Sequence, residues 1–204
     1  MLKFYYAKNS AAYAPHILLE DVGAEYEAIK IDFARGEQRS AAYLSVNPKG
    51  RVPSLITSQG ILTETPAILA FIAQLYPEHN MVPGSAFEFA QAQAFNCYIA
   101  STVHVAHAHK HRGARWADDK TAQSSMQAKV HQNMTECASV IEAHYLLGPW
   151  VLGERYSMCD PYLALVTRWL DDDCVDLTKF PKIAAHNQAM RARPAMQTIL
   201  RLHS

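Results

Sequence analysis

The chain has 204 residues, which at roughly 150 residues per domain predicts one large domain or two small ones. Half of the residues are hydrophobic and 19% are charged, which excludes the composition of a disordered chain. The 19 basic residues balance the 19 acidic ones, and this zero net charge argues against a broad surface for nucleic acid or anionic membrane.

The sequence shows no clear targeting signal and no cysteine motif. No apolar run approaches 18 residues, so we expect no transmembrane helix. The opening segment MLKFYYAKNS lacks the pattern of a secretory signal. The four cysteines form no CxxC pair, which argues against a zinc site or a secreted disulfide framework. We therefore expect a reduced, cytoplasmic protein that binds neither nucleic acid nor membrane.

The first part of the chain predicts a small mixed sheet with helices. Ile29 and Ile31 alternate with polar neighbours, which is the period of a strand. Gly23 ends an apolar stripe of helical spacing. The full order is β-α-β-α-β-β-α, with strands at residues 3–6, 26–33, 53–57 and 61–63, the first helix at 14–22 and the last at 67–75.

The second part predicts only helices, at residues 87–101, 123–146, 159–170 and 183–202. Residues 77–85 contain two prolines and a glycine, and we interpret them as a linker. The chain therefore divides into an α/β domain and an all-α domain.

Three segments in this order resemble the glutathione transferase superfamily: NPKGRVPSL at residues 47–55, LTETPAI at 62–68 and YSMCD at 156–160. The opening residues resemble the bacterial beta-class enzymes most. The resemblance implies a thioredoxin-like, glutathione-binding domain at residues 1–78 and an all-helical domain at 86–204 that forms the pocket for an electrophile. It also implies a homodimer and glutathione as the co-substrate.

The resemblance implies that the bond between Val52 and Pro53 is cis and that the Val52 backbone pairs with the cysteinyl part of glutathione. Glu64 would bind the α-amino group of the γ-glutamyl end, and Thr65 would hold its carboxylate at a helix N-terminus. The alternative is structural: Thr65 is a helix cap with Pro66 at the first helical position.

Three further residues are implied as glutathione contacts. Arg35 and Arg51 match positions where a basic residue reaches the glycyl carboxylate of glutathione. His104 lies close to the sequence position at which beta-class enzymes carry a histidine that contacts glutathione. For the two arginines, as for Lys49, the alternative is a solvated surface side chain.

The sequence departs from the beta class at the catalytic position. The usual cysteine is replaced by Ala11, so another donor must stabilise the thiolate. Ser10 is our first candidate, with Asn9 as a supporting donor and Tyr5 next. The alternatives are that Ser10 caps the first helix and that Tyr5 packs in the core.

A histidine-rich segment covers residues 104–111. On a helix His104, His107 and His111 share one face, and His109 points away. We rank a wall of the active site first, surface polarity second and a metal site last, because no carboxylate or thiol is evident to complete a ligand set. We expect no metal cofactor.

Another local signal is Ser157-x-x-Asp160, which has the form of a capping box. Pro161 departs from the ideal box because its nitrogen carries no proton.

The main functional hypothesis is a detoxifying transferase that conjugates glutathione to small hydrophobic electrophiles. Alternatives are a glutathione-dependent disulfide reductase or peroxidase, and a non-catalytic member that binds a partner protein. Maleylacetoacetate isomerase activity is less favoured, because the Ser-Ser-x-x-x-Arg pattern is missing from residues 9–14.

Overall fold

A computed structural model describes residues 1–203, and they form two compact units. The first unit contains residues 1–83 together with the segment that starts at Met190, and the second contains residues 84–189. The C-terminal segment therefore belongs to the α/β unit, which its helical spacing did not indicate. No helix in the described part of the chain has both the length and the apolar character needed to cross a membrane.

The first unit is built on a four-stranded mixed sheet in the order β2-β1-β3-β4. The strands are β1 (Leu2–Tyr6), β2 (Tyr26–Lys30), β3 (Ser54–Thr57) and β4 (Gly60–Thr63). Strand β1 is parallel to β2 and antiparallel to β3, and β3 and β4 form a hairpin. The thioredoxin-like sheet is thus confirmed.

Strand β2 is shorter than predicted because its chain turns away at Asp32. The Asp32 carboxylate accepts hydrogen bonds from the amides of Ala34 at 2.9 Å and Arg35 at 3.3 Å. These local bonds hold a turn and compete with further strand pairing.

The α-helices of the two units are α1 (Tyr13–Asp21), α2 (Ala41–Val46), α3 (Thr65–Leu75), α4 (Ala86–Tyr98), α5 (His104–Arg112), α6 (Lys120–Val140), α7 (Asp160–Asp172), α8 (Pro181–Ala192) and α9 (Pro194–Leu202). In the first unit, α1 packs against both α3 and α9. In the second, α5 packs against α6.

Two of the predicted helices differ from the structure. The helix predicted at residues 183–202 is broken at Arg193, because proline disfavours a helical conformation in the residue before it and Pro194 starts α9. The helix predicted at 87–101 continues into α5 through a π-helical turn at Ile99–Val103, so the histidine-rich segment is helical as expected.

A buried pair of histidines joins α1 to the end of α9. A hydrogen bond of 3.0 Å links Nδ1 of His16 to Nε2 of His203, and neither side chain is exposed to solvent by more than 1%. The Tyr6 ring lies against both imidazoles. Burial, together with the neighbouring His203, lowers the pKa of His16 to about 3. His16 is therefore neutral in the folded protein at physiological pH.

We expect this histidine to make the protein acid-sensitive. Below its ordinary pKa of 6.5, His16 takes up a proton in the unfolded chain but not in the folded one until about pH 3. The free energy of unfolding should therefore fall by about 1.4 kcal/mol per pH unit across this window. Urea unfolding of His16→Gln at several pH values should show a shallower pH dependence. The exposed control His79→Gln should keep the wild-type slope, and equal slopes for all three proteins would contradict the expectation.

Asp160 organises the second unit from the N-terminus of α7. Its buried carboxylate accepts hydrogen bonds from the Ser157 amide at 2.7 Å, the Ser157 hydroxyl at 2.9 Å and the Val151 amide at 2.8 Å. Nε2 of His186 donates to the same group at 3.1 Å. One of the two bonds of the predicted capping box is thus present, from the Ser157 amide to the Asp160 carboxylate. The Ser157 hydroxyl accepts from the Cys159 amide at 3.3 Å, and not from the Asp160 amide as in an ideal box.

Asp160→Ala should destabilise the protein by about 3–5 kcal/mol, because it leaves two buried backbone amides and a buried imidazole without their acceptor. Chemical denaturation followed by circular dichroism measures this loss. The control is Asp171→Ala on the exposed side of the same helix, expected to change stability by no more than about 0.5 kcal/mol. A small effect of Asp160→Ala would show that water replaces the carboxylate.

Candidate functional site

The loop between α2 and β3 is held by the backbone carbonyl of Arg51. This oxygen accepts one hydrogen bond from the Asn47 side-chain amide and one from the Tyr43 hydroxyl, both at 2.6 Å. The following peptide bond, between Val52 and Pro53, is cis, as the resemblance implied. Both residues are buried, and they lead directly into β3. The loop therefore presents the Val52 backbone in a fixed position.

Tyr43 has a supporting role that the sequence did not indicate. Its hydroxyl also lies 3.0 Å from the Ser54 hydroxyl, and burial raises its pKa, so it stays protonated and donates to the loop. The Tyr5 ring packs on Tyr43 with 5.5 Å between ring centroids, and Tyr5 pairs with Ser54 across β1 and β3. Tyr5 is therefore placed beside this loop and takes part in its packing.

The junction between β4 and α3 carries Glu64 and Thr65. Glu64 has a backbone φ of 73°, which non-glycine residues rarely adopt and which is found preferentially at functional sites. As the N-cap of α3, it makes no side-chain hydrogen bond to the helix. The Thr65 hydroxyl is buried and donates to the Ala11 carbonyl at 3.4 Å. Glu64 is the N-cap of α3 and Thr65 is its first residue, so the alternative that Thr65 caps the helix with Pro66 at the first helical position is wrong.

The same Thr65 contact brings the turn at residues 9–12 beside the start of α3. Within this turn the Ser10 hydroxyl donates to the Ala7 carbonyl at 2.8 Å and accepts from the Ala12 amide at 3.2 Å. Its proton is thus engaged by the backbone, and Ser10 is only 6% exposed. Asn9 precedes it with a φ of 53°. Ser10, Asn9 and Thr65 therefore share one region of the first unit.

Charged side chains lie around these two segments. Nζ of Lys49 is 2.5 Å from a carboxylate oxygen of Glu64 and 2.8 Å from the Thr63 hydroxyl. Arg35 and Arg51 are exposed, which suits an encounter with an anion and equally suits a solvated side chain. The structure thus places Glu64 in an ion pair that the sequence did not predict.

His104 lies in the second unit, where its ring packs on Trp169 with 4.7 Å between centroids. His107 stacks on the same indole at 4.9 Å and an interplanar angle of 12°. Both rings therefore belong to one face of α5, as the spacing predicted. His109 instead contacts Trp116.

Asp173, just after α7, is the carboxylate partner of this face. Nδ1 of His107 donates to its buried carboxylate at 2.7 Å, and Nζ of Lys110 forms an ion pair with it at 3.2 Å. Nδ1 of His131 donates to the Asp173 backbone carbonyl at 3.2 Å. Sequence reasoning missed Asp173 because it lies 66 residues from His107. Residues 1–203 contain no group of three or more His, Cys, Asp or Glu side chains arranged to hold a metal ion.

We expect Asp173→Asn to loosen α5, because a neutral amide replaces a buried charge that accepts a hydrogen bond from His107 and forms an ion pair with Lys110. The loss should be about 1–3 kcal/mol, and amide hydrogen exchange should accelerate across α5. Exchange mass spectrometry measures the effect by segment. Asp172→Asn, an exposed neighbour, is the matched control. Unchanged exchange on α5 in Asp173→Asn would contradict this expectation and leave the helix held by its other contacts, with α6 and with the Trp169 indole.

Known proteins resemble this chain along nearly its whole length. Residues 1–74 match the family profile described as glutathione S-transferase, N-terminal domain. A solved structure of a glutathione transferase homolog from Sulfitobacter, with bound glutathione, is 41% identical, with a TM-score of 0.95 and coverage of 99% of this chain and 98% of that one. Glutathione S-transferase GstA of Escherichia coli O157:H7 is 27% identical, over 98% of this chain and 97% of its own. Maleylacetoacetate isomerase of Pseudomonas aeruginosa is 26% identical, over 96% and 97% respectively.

Proposed function

Because this chain belongs to the glutathione S-transferase family, we propose that it binds glutathione on the first unit and transfers its thiolate to small hydrophobic electrophiles. The observation that carries the proposal is the arrangement within that unit. The first unit combines three features: a fixed backbone edge at Val52, the acidic Glu64 with an unusual φ at the start of α3, and the turn that contains Ser10.

Each part of glutathione has a chemically matched partner in this proposal. The Val52 backbone pairs with the cysteinyl part as an added strand would, with Pro53 fixing the edge. The Glu64 carboxylate accepts from the α-ammonium group. Thr65 and the free amides at the start of α3 favour the α-carboxylate, because a helix N-terminus carries partial positive charge. Arg35 and Arg51 are proposed for the glycyl carboxylate.

Thiol activation is the chemical task. A thiol with a pKa of about 8.5 is only about 3% ionised at pH 7. One or two charge-assisted hydrogen bonds, at about 1.5–3 kcal/mol each, would lower that pKa by one to two units or more. Ser10 is the first candidate donor, although its proton must leave the Ala7 carbonyl to reach the sulfur. Asn9 and Tyr5 are the next candidates.

Other proposals rest on the family resemblance alone. They are His104 as a further glutathione contact, an electrophile pocket formed by the helices of the second unit, the domain boundaries at 78 and 86, a homodimer, a cytoplasmic location, a role in detoxification and no requirement for a metal.

The buried cysteines argue against a competing thiol chemistry. Burial raises the pKa of Cys137, and it raises that of Cys159 well above its ordinary value, so both stay protonated thiols. A disulfide reductase or peroxidase activity of this protein would therefore not use either of these residues, whereas the free thiols of Cys97 and Cys174 are exposed.

Calorimetric titration with glutathione tests the proposal. We expect saturable binding by the wild type and an absorbance signal from the bound thiolate near neutral pH. If Ser10 is the donor, Ser10→Ala should bind glutathione but raise the pKa of the bound thiol by about one to two units. Tyr5→Phe and Asn9→Ala are the matched comparisons, and whichever variant raises that pKa identifies the donor.

Turnover assays separate the reaction types. An aryl halide reports conjugation, a mixed disulfide reports reduction, and maleylacetoacetate reports isomerisation. We expect turnover with the aryl halide. Absence of binding at millimolar glutathione would reject the proposed function, and binding without turnover of any substrate would favour a non-catalytic member of the family.

A further inference from the structure

The ion pair between Lys49 and Glu64 occupies a group that the proposed function requires. Nζ of Lys49 lies 2.5 Å from Oε1 of Glu64 and also donates to the Thr63 hydroxyl at 2.8 Å. The Glu64 carboxylate, which we propose for the α-ammonium group of glutathione, therefore already has a cation beside it.

Lys49 is held near Glu64 by the architecture of its loop. The Lys49 amide donates to the Asn47 side chain at 3.1 Å, and Asn47 in turn donates to the Arg51 carbonyl. Gly50 adopts a φ of 60°, and a side chain there would meet the backbone of Gln38 at 3.0 Å. The loop backbone thus has little freedom, and it holds the Lys49 side chain within reach of the start of α3.

A ligand that carries only an ammonium group would bind at the expense of Lys49. Either two cations would share one carboxylate, which is unfavourable, or Lys49 would lose its partner. A ligand with both an ammonium and a carboxylate group on the same carbon avoids both costs. Its ammonium replaces Lys49 at Glu64, and its carboxylate receives Lys49. Every charge then has an opposite partner before and after binding.

We propose that Lys49 selects ligands with a zwitterionic α-amino-acid end, by pairing with Glu64 in the free protein and with the ligand's α-carboxylate in the complex. This inference rests on the proposed function of the same site. It makes Lys49 a specificity-determining residue whose pairing changes when the ligand binds.

The exposure of the pair suits such an exchange. The side chains of Lys49 and Glu64 are 42% and 64% exposed, and ion pairs with this exposure contribute little to stability. Breaking the pair therefore opposes binding only weakly. Because exposed pairs are screened by salt, the contribution of Lys49 to affinity should decrease as ionic strength rises.

The test compares ligands that differ in one charge. They are glutathione, its analogue without the α-carboxylate (4-aminobutyryl-cysteinyl-glycine) and its analogue without the α-amino group (glutaryl-cysteinyl-glycine). Calorimetric dissociation constants are measured for the wild type, Lys49→Met and Lys49→Arg. Lys3→Met is the matched control, because Lys3 forms another exposed ion pair, with Glu27, in the same unit.

We expect Lys49→Met to weaken glutathione binding about fivefold at low salt and to leave the affinity for 4-aminobutyryl-cysteinyl-glycine unchanged or higher. The analogue without the α-amino group should bind weakly to the wild type, because it leaves Lys49 shared between two carboxylates. Lys49→Arg and Lys3→Met should retain the wild-type preference for glutathione over the decarboxylated analogue.

Two results would overturn the inference while the proposed function stands. In one, the wild type binds glutathione, but Lys49→Met changes the affinities for glutathione and for 4-aminobutyryl-cysteinyl-glycine by the same factor. The other is tighter glutathione binding by Lys49→Met, which would make Lys49 only a competitor for Glu64. Absence of wild-type binding to glutathione at millimolar concentration would instead reject the proposed function and this inference together.

Discussion

The backbone carbonyl of Arg51, with its two hydrogen bonds from Tyr43 and Asn47, is the constraint on which the surface of the first unit depends. It fixes the loop that enters β3, and so it sets the positions of the Val52 backbone and of the Lys49 backbone from which the ammonium group reaches Glu64. The two donors are a neutral phenol and a neutral amide, and burial raises the pKa of Tyr43. The geometry of the loop is therefore insensitive to pH near neutrality, whereas the charges that it carries respond to salt.

The second unit depends on buried carboxylates at the two ends of α7, and the helix dipole makes these ends unequal. Asp160 lies at the N-terminus, where a negative charge is favoured, and two backbone amides donate to its carboxylate. Asp173 lies just beyond the C-terminus, where a negative charge is disfavoured. Its carboxylate is accordingly paired with two basic side chains of α5, His107 and Lys110. Lys110 and His131 also donate to the last carbonyls of this region. The histidine-rich segment thus contributes to holding α7, besides any role in binding.

Local patterns were sufficient for the strands and first helix of the first unit, because alternation in β2 and an apolar stripe in α1 are properties of short segments. The break between α8 and α9 at Arg193 could also have been predicted from the sequence, since Pro194 follows Arg193. The cis bond before Pro53 came only from the resemblance, because most bonds before proline are trans. The partners of His107 and Glu64 were not predictable. They depend on which side chains the tertiary fold brings together, and a periodicity along one segment carries no information about a carboxylate 66 residues away.

The order of segments in the first unit has a consequence for synthesis. Residues 84–189 separate the sheet and its first three helices from α9, which covers α1 through contacts such as Tyr13 with Met196 and His16 with His203. On the ribosome, the N-terminal sheet emerges long before the helix that completes its core. Until the whole second unit has been translated, the face of α1 that α9 will cover stays open to solvent, to chaperones and to other nascent chains. The α/β unit is thus the first to begin folding and among the last to finish.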